Sequence, residues 1–444
     1  YAQPKDVENP RIAAEELVDF IFEYNPDLVY SSIDKEKEPE RYKATVEANN
    51  IVAKEAKKQA LIAVFSKEGD PYEPLKHKIT EEQKNAIEAL HLKGIYFSSE
   101  TYRYYPEKNI GSNISGFVGF VNEDRVGQYG IEGYFENDLK GESGYLHSER
   151  DAFGRWITLA DKDLEPAKDG SNIVLTVDST LEYYACKTLD EHALRHGADS
   201  GSVIIMDTKT GAILAMCSYP DFDPNEYSKV KDSQDYNNKA IFAAYEPGSI
   251  MKSRTMAAAI DQGKVTPNTT YVDEGFLIID GFTIKNALNK TYGQQNMIDV
   301  LNNSINTGAI FAARQIGSDI FKKYMDDFGL GVLTNIELDK EVSGNISSLS
   351  KKGDVYMATG SFGQGLTTTP LQMVSAYNAI ANGGKLMQPY IVDRVVKSDG
   401  VVIKTKPQAL RQVISQRAAT LVAGMLVSVV RDGHATHAGA PGYY

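Results

Sequence analysis

The octapeptide Tyr-Glu-Pro-Gly-Ser-Ile-Met-Lys, residues 245–252, joins a Pro-Gly turn to an apolar run of helical spacing that ends before Gly263. This pattern predicts a helix with Ser249 at or near its first turn. Because residues three apart share one face of a helix, the amine of Lys252 can reach the hydroxyl of Ser249. A desolvated lysine can take the proton of a serine and make it a nucleophile. The free N–H groups of a helix start favour the negative charge of acyl transfer, so the sequence predicts a serine acyl-enzyme.

The Ser-x-x-Lys spacing is not specific by itself, because such a pair is ordinarily a solvated serine and lysine. Three further matches lie outside any turn-to-helix pattern: Ser32/Lys35, Ser228/Lys231 and Ser348/Lys351. The Glu-Pro-Gly before Ser249 and the elements that follow it distinguish this match from the others.

A second element, Ser304-Ile305-Asn306, interrupts two helical patterns at 297–303 and 307–316. A hydroxyl and a carboxamide two residues apart in such a loop can both point into one cleft. There they can pass a proton and hold a substrate amide. The alternative is that Ser304 or Asn306 caps a helix, as these residue types often do.

Together, Ser249, Lys252, Ser304 and Asn306 resemble the motifs of the penicillin-binding protein and serine β-lactamase superfamily. The resemblance to class B penicillin-binding proteins covers nearly the whole chain. The further segments that carry it are 127–141, 150–155, 207–215, 238–249 and 360–372. Within the last of these, Ser-Phe-Gly-Gln-Gly at 361–365 is more similar to the division or sporulation type than to the elongation type.

The resemblance implies a peptidoglycan D,D-transpeptidase that works without a cofactor or metal. Ser249 would attack the penultimate D-alanine carbonyl of a stem peptide, with Lys252 as general base. Ser304 would relay a proton to the departing D-alanine, and Asn306 would hold the stem-peptide amide. A neighbouring stem's amine would then close the cross-link, and β-lactams would acylate the same serine. The implied protein partners are a membrane glycosyltransferase and divisome or elongasome proteins, bound through a pedestal domain.

The fold implied by the resemblance is α+β, with an antiparallel sheet, flanking helices and a helical lobe that carries Ser304. A mixed α+β pedestal would precede it. We expect the pedestal at 1–160, a charged linker at 161–170 and the transpeptidase domain at 171–444.

Local patterns predict the elements within these parts. The predicted helices are 10–24, 42–66, 80–90 (opened by a capping box), 180–194 and 415–430. The predicted strands are 94–97, 102–105, 172–177, 390–397 and 401–405, with a further hairpin at 202–217.

The family's third motif, Lys-Thr-Gly, occurs in this chain at 209–211, before the nucleophile. Its setting between two apolar runs predicts a hairpin turn, with Gly211 at positive φ. In the family the functional copy follows the late helix, which is 415–430 here, on a strand beside the serine. The resemblance therefore implies a chain cut at both ends, impaired as a fragment. It also implies a native location on the extracytoplasmic face of the bacterial membrane, held by an anchor before residue 1.

Net charge and the placing of cysteines and histidines limit which partners and metal sites the chain can have. A net charge of −13 argues against nucleic acid, since phosphate binding needs an excess of Lys and Arg. Cys186 and Cys217 are too few for a disulfide framework; we expect buried, reduced side chains, with a bridge left open. His192 and His196 lie one helical turn apart, but without a third ligand they favour a solvated face over a zinc site. His434 and His437, in a Gly/Ala-rich stretch, favour a loop.

Three other functions share these motifs. A D,D-carboxypeptidase or β-lactamase would use water in place of the amine, although such hydrolases usually lack a pedestal. A non-catalytic scaffold would bind division or elongation partners, although intact Ser249, Lys252, Ser304 and Asn306 argue against it. A β-lactam sensor would need a signalling domain.

Overall fold

The structure is a computed structural model that describes residues 1–29, 33, 35, 37–122, 124–147 and 163–442. The chain forms two compact units, Tyr1–Arg103 and Tyr104–Tyr444. The family-like segment 150–155 and the first two residues of the predicted linker, 161–162, lie outside the described residues.

The described residues of the first unit form a 3₁₀ helix, Pro4–Asp6, and the α-helices α1 (Pro10–Ile21), α2 (Pro39–Phe65) and α3 (Glu81–Glu88). Proline occupies the first turn of α1 and α2, where its missing N–H leaves no hydrogen bond unmade. The capping box that opens α3 is confirmed, since Thr80 and Gln83 exchange hydrogen bonds. Helices α1 and α2 pack together around a core that includes Leu17 and Phe65.

The predicted strands 94–97 and 102–105 are wrong. Among the described residues of this region only Ile95 makes a β-bridge, to Ala2, which also pairs with Glu73. The tyrosine-rich pattern has the composition of a strand. Within the described residues no continuous neighbouring strand completes its hydrogen-bond ladder, and strand formation depends on a paired partner.

The second unit opens with a series of short elements in the described segments 104–122, 124–147 and 163–165. They are α4 (Ser112–Ser115), β1 (Phe117–Val121), β2 (Asp124–Gln128), α5 (Gly130–Tyr134), α6 (Glu136–Leu139), β3 (Tyr145–His147) and β4 (Asp163–Glu165). Strand β1 pairs with β2, and β3 pairs with β4, both antiparallel. Part of the segment that the sequence marks as a linker is therefore a paired strand.

The remaining elements follow in chain order. The first group is β5 (Asn172–Leu175), α7 (Ser179–His196), β6 (Gly201–Met206), β7 (Ile213–Tyr219), α8 (Lys239–Phe242) and α9 (Lys252–Asp261). The second is β8 (Thr270–Asp273), β9 (Phe276–Ile279), β10 (Phe282–Lys285), β11 (Gly293–Asn296), α10 (Met297–Asn302), α11 (Asn306–Ile316) and α12 (Ser318–Asp327). The third is α13 (Asp354–Gly360), α14 (Pro370–Ala381), β12 (Lys385–Met387), β13 (Val392–Val396), β14 (Val402–Lys404), β15 (Ala409–Gln412) and α15 (Gln416–Arg431).

Strands from both ends of this unit pair in a three-stranded antiparallel sheet, and a separate antiparallel hairpin is joined to it by a parallel bridge between Ala212 and Tyr390. Strand β13 lies between β5 and β14, and β6 pairs with β7 in the predicted hairpin. The N–H of Ile213 donates to the carbonyl of Tyr390 at 2.9 Å, which links the start of β7 to the chain entering β13. The α+β class is confirmed.

Helix α9 runs through the middle of the main core. Every residue from Lys252 to Ile260 is buried, and the helix packs against α11, α12 and α15. Its Ala257-Ala258-Ala259 run lets neighbouring helices approach closely, while Met256 and Phe321 fill the space around it. The predicted helices over 250–260, 297–303, 307–316 and 415–430 are confirmed. No helix in the described part of the chain is long and apolar enough to cross a membrane.

Cys186 and Cys217 are joined in a disulfide, so the expectation of reduced cysteines is wrong. Helix α7 lies against β7 and brings the two Cα atoms to 5.3 Å, within the range a disulfide spans. The sequence could not show this, because the pairing depends on packing between elements that lie 31 residues apart. Glu182, one turn before Cys186, is buried beside the bridge and accepts the N–H of Met216 at 2.8 Å.

We predict that Glu182 makes stability depend on pH. Burial raises its pKa to about 7, against the opposing effect of the Met216 N–H. The folded carboxyl therefore keeps its proton between the ordinary pKa of 4.5 and about 7, whereas the unfolded one releases it. Stability from this group is present below pH 4.5 and declines as pH rises through 7, by about 3 kcal/mol at 1.4 kcal/mol per pH unit.

The test compares Glu182→Gln with the parent by thermal unfolding at pH 5 and pH 8, with the disulfide intact. We expect similar unfolding temperatures at pH 5 and a more stable variant at pH 8. Glu191→Gln, an exposed change on the same helix, serves as the control. Equal stability of Glu182→Gln and parent at pH 8 would contradict the prediction.

Candidate active site

Ser249 lies on a one-turn 3₁₀ helix, Gly248–Met251, directly before α9, which confirms its predicted place at a helix start. The turn is fastened to the loop 361–365. Gly248 has φ +59° and donates its N–H to the carbonyl of Gly363 at 3.0 Å. A Cβ at residue 363 would lie 2.2 Å from the carbonyl oxygen of Gly248, so only glycine fits this contact. Ser249 itself is exposed.

Lys252 contacts both hydroxyls that the sequence selects. Its Nζ lies 3.2 Å from Oγ of Ser249 and 3.0 Å from Oγ of Ser304. It also donates to the backbone carbonyl of Ser304 at 2.6 Å. The residue is only 2% exposed, and burial lowers its pKa to about 7. No carboxylate forms an ion pair with it in the described part of the chain, so a large share of the amine is neutral near pH 7.

Ser304 occupies the loop between α10 and α11 in a left-handed conformation, with φ +52°. This conformation costs a non-glycine residue about 1 kcal/mol, so the surroundings must impose it. The neighbouring Ile305 is fully buried and donates its N–H to the carbonyl of Val300 at 2.9 Å. The anchored isoleucine holds the loop, so that both the hydroxyl and the carbonyl of Ser304 meet Lys252.

Asn306 begins α11, and its side-chain amide donates to the carbonyl of Lys285 at 2.9 Å. It is half-buried and does not hydrogen-bond directly to Ser249 or Lys252. The residue at the N-cap of α11 is Ile305, without a side-chain cap. Helix capping by Ser304 or Asn306 is therefore not how this structure uses them.

A buried carboxylate that the sequence did not reveal fixes the start of α11. Asp273 is 1% exposed and accepts hydrogen bonds from Thr307 Oγ1 at 2.6 Å and Asn286 Nδ2 at 3.0 Å. The N–H groups of Gly275 and Tyr292 donate to it as well. Burial raises the pKa of Asp273, but these hydrogen bonds outweigh that effect and hold the pKa below its ordinary value. The sequence near Asp273 shows only an aspartate shortly before a Gly turn. Its role as a buried acceptor cannot be predicted locally, because its main partners lie 13 and 34 residues away.

The Lys-Thr-Gly of residues 209–211 forms the turn between β6 and β7, as predicted, and Gly211 has φ +83°. Asp207 caps the turn, accepting from the hydroxyl of Thr210 at 2.6 Å and from the N–H of Lys209 at 3.1 Å. The motif is thus a structural turn in this chain.

Possible metal ligands gather at one place in the described residues: Glu182, Cys186 and Cys217. Because the two sulfurs are joined to each other, neither is a thiolate that could bind a metal. His192 and His196 stack on the exposed face of α7, with ring centroids 6.0 Å apart.

An exposed serine in contact with a buried amine whose pKa is lowered by desolvation is the arrangement of active-serine acyl-transfer enzymes. Comparison with known families agrees with this class. Residues 201–444 match the penicillin-binding protein transpeptidase domain, and residues 2–175 match the penicillin-binding protein dimerisation domain.

Individual relatives agree with the family models. The chain is 36% identical to stage V sporulation protein D of Bacillus subtilis over 88% of this chain and 60% of that protein. It is 30% identical to peptidoglycan D,D-transpeptidase FtsI of Escherichia coli over 72% of this chain and 53% of that protein. The chain therefore spans between half and two thirds of the length of these relatives.

A crystal structure of penicillin-binding protein 3 from Mycobacterium tuberculosis, complexed with ampicillin, superposes with a TM-score of 0.67 at 28% identity. The match covers 77% of this chain and 73% of that one. The chain belongs to the penicillin-binding protein transpeptidase family, among its class B members.

We predict that Asp273 stabilises the start of α11. Asp273→Asn keeps the shape of the side chain but presents an amide N–H₂ to groups that are themselves donors. The expected loss is about 2 kcal/mol or more, as for other buried donors left unmatched. Chemical denaturation measures it, and hydrogen exchange should show faster exchange at 304–308.

Asp319→Asn, on the exposed face of α12, serves as the control, because it removes one carboxylate charge without disturbing a buried hydrogen-bond network. Unchanged stability together with unchanged exchange in Asp273→Asn would show that the Asp273 network does not hold the loop.

Proposed function

We propose that the protein carrying this chain is a peptidoglycan D,D-transpeptidase that uses Ser249 as its nucleophile. The observation that carries the proposal is the contact of one buried amine, Lys252 Nζ, with the hydroxyls of both Ser249 and Ser304. Proton transfer from one hydroxyl and to the other then needs no movement of the base.

In the proposed acylation, Oγ of Ser249 bonds to the penultimate D-alanine carbonyl carbon of a stem peptide as its proton passes to Lys252. We propose that the negative charge on the carbonyl oxygen develops beside the backbone N–H of Ser249, one residue after the Gly248 N–H that is bonded to Gly363. When the intermediate collapses, the C–N bond to the terminal D-alanine breaks. The leaving nitrogen receives a proton through the hydroxyl of Ser304. That proton comes from Lys252, which ends the step neutral.

In the second half, the amine of a neighbouring stem peptide attacks the ester and gives its proton to Lys252. The acyl–oxygen bond breaks, and Ser249 regains a proton. We propose that Asn306 holds the donor's amide, because it lies at the edge of the same loop with its own amide fixed by Lys285. The net result is one peptide bond exchanged for another, with D-alanine released.

β-Lactams present a strained amide to the same serine and would leave a stable ester. The M. tuberculosis relative has been crystallised with ampicillin and with aztreonam, which supports a β-lactam site in this family. We propose that this chain binds them at Ser249.

The cellular location, role and protein partners that we propose rest on membership of the family. We propose a location on the extracytoplasmic face of the bacterial cell membrane, a role in division or sporulation, and docking of a membrane glycosyltransferase and divisome or elongasome proteins through the pedestal. The proposed division remains a pedestal at 1–160, a linker at 161–170 and a transpeptidase domain at 171–444. The matches of the dimerisation domain to residues 2–175 and of the transpeptidase domain to residues 201–444 support this order of domains.

Labelling with a fluorescent penicillin tests the acyl-enzyme. We expect the protein, as the cell makes it, to carry one covalent label that is lost in Ser249→Ala. Ser348→Ala is the matched control, because it removes the serine of another Ser-x-x-Lys pair, and its label should persist. A digest should place the label on the peptide containing residue 249.

Absence of label on the folded protein would overturn the acyl-enzyme and favour a scaffold. Rapid loss of label with release of hydrolysed penicillin would favour a hydrolase. A persistent label together with D-alanine release and cross-linked product would support the transpeptidase.

We predict that the acylation rate depends on pH, because the pKa of Lys252 is lowered to about 7. Acylation requires the neutral amine, so its rate should fall about tenfold for each pH unit below 7 and level off above it. Single-turnover labelling between pH 5.5 and 9 measures this, and the variant Lys252→Arg should lose acylation at every pH. A rate that is flat from pH 5.5 to 9 in the parent protein would exclude Lys252 as the base.

A further inference from the structure

Arg254 is the largest fully buried side chain of the described chain, with 0% exposure, and it lies two residues after Lys252 on α9. Residues two apart do not share a face of a helix. The contacts show the result: Lys252 meets the two serines, whereas the guanidinium of Arg254 meets α14 and the turn before α9. The site described above makes no use of this cation.

The guanidinium joins two backbone segments. Its Nη1 donates to the carbonyl of Ile250 at 2.7 Å, and its Nη2 donates to the carbonyl of Met373 in α14 at 2.8 Å. Nη1 also lies 2.8 Å from the hydroxyl of Ser253. Ile250 directly follows Ser249, so one end of this link holds the peptide next to the nucleophile.

Tyr377 completes the arrangement from α14. Its ring lies under the guanidinium, 3.5 Å from the central carbon to the ring centroid. Its hydroxyl donates to the same Ile250 carbonyl at 3.2 Å. The Ile250 carbonyl therefore accepts hydrogen bonds from Arg254 and Tyr377, and also from the hydroxyl of Ser253 at 2.9 Å. The aromatic ring partly replaces the hydration that the cation has lost.

The burial of this charge is costly. No carboxylate pairs with Arg254 in the described part of the chain, and its Nε has no hydrogen-bond partner there. Taking an unpaired cation out of water costs several kcal/mol, and an apolar side chain of similar size would fill the same space without that cost. A costly group so close to Ser249 points to a role beyond packing.

We propose that Arg254 is a positioning residue for Ser249, fixing the nucleophile's turn against α14 through the carbonyl of Ile250. This inference rests on the proposed function for the reaction that is positioned, but the link itself is a property of the fold. A planar fork that bonds two carbonyls at once gives a rigid connection, whereas a lysine ammonium holds such groups less directionally. Displacement of a reacting group by about 1 Å is enough to slow a reaction about 100-fold.

The hydrogen bonds of Arg254 fix the position of the turn that carries Ser249 and leave the pKa of Lys252 unchanged. Because Arg254 and Lys252 leave the helix on different faces, removal of the guanidinium should lower the acylation rate constant without moving the pH midpoint. A variant that acted through charge would shift that midpoint upward, since a neighbouring cation lowers the pKa of a lysine.

The experiment measures single-turnover acylation by a fluorescent penicillin, separating the noncovalent Kd from the acylation rate constant. We expect Arg254→Met to lower the rate constant about 100-fold with Kd changed less than about threefold. Arg254→Lys should restore part of the rate, and Tyr377→Phe, which loses only the hydroxyl, should cost a few-fold. The pH midpoint should stay near 7 in all three.

Val422→Ala, a core truncation on α15, is the control for a general loss of stability. Hydrogen exchange of residues 246–253 provides a second readout that does not depend on acylation. We expect faster exchange there in Arg254→Met than in Val422→Ala at equal stability.

If Arg254→Met acylates at the parent rate, or if its exchange matches that of the control, the positioning role is overturned. If the parent protein takes no label but the exchange difference appears, the proposed function fails while the link stands.

Discussion

The site depends on the burial of a single amine. Lys252 is enclosed in the core with no carboxylate partner among the described residues, and this desolvation is what lowers its pKa to about 7. A core built around α9 supplies the enclosure, since the helix packs against α11, α12 and α15. A lysine in this position opposes folding until the surrounding helices stabilise the structure enough to offset it. The helices that form the core around α9 are therefore the same ones that desolvate Lys252 and lower its pKa.

Rigid supports surround the amine. The 3₁₀ turn that carries Ser249 is fastened to the loop at Gly363, and the loop that carries Ser304 is fastened by Ile305 and, through the start of α11, by Asp273. Each support acts on backbone next to a reacting group. Such preorganisation holds a serine, a lysine and a second serine at hydrogen-bond distance from one another.

How much the sequence predicts depends on how local each feature is. The helix after Ser249 and the turn at Lys209-Thr210-Gly211 are encoded by neighbouring residues, and both lie where the patterns put them. The expected strand 94–97 fails because a strand needs a partner that composition does not reveal. The disulfide joins cysteines 31 residues apart, and the side chains that donate to Asp273 lie 13 and 34 residues away. Packing alone brings these groups together. The left-handed conformation of Ser304 likewise has no sequence signal, since nothing marks the serine as strained.

For the acylation that we propose at Ser249, the contact between Gly248 and Gly363 has a consequence for evolution under an acylating drug. Any side chain at residue 363 would push on the backbone one residue before the nucleophile, because the two chains touch there without space for a Cβ. A selective pressure that favours slow acylation can therefore be met by substitutions in the 361–365 loop, behind the serine, where no drug atom need ever touch the altered residue. Inheritable tolerance of the drug would then appear in sequence surveys as change in a glycine-rich loop, while the nucleophile and its base remained identical.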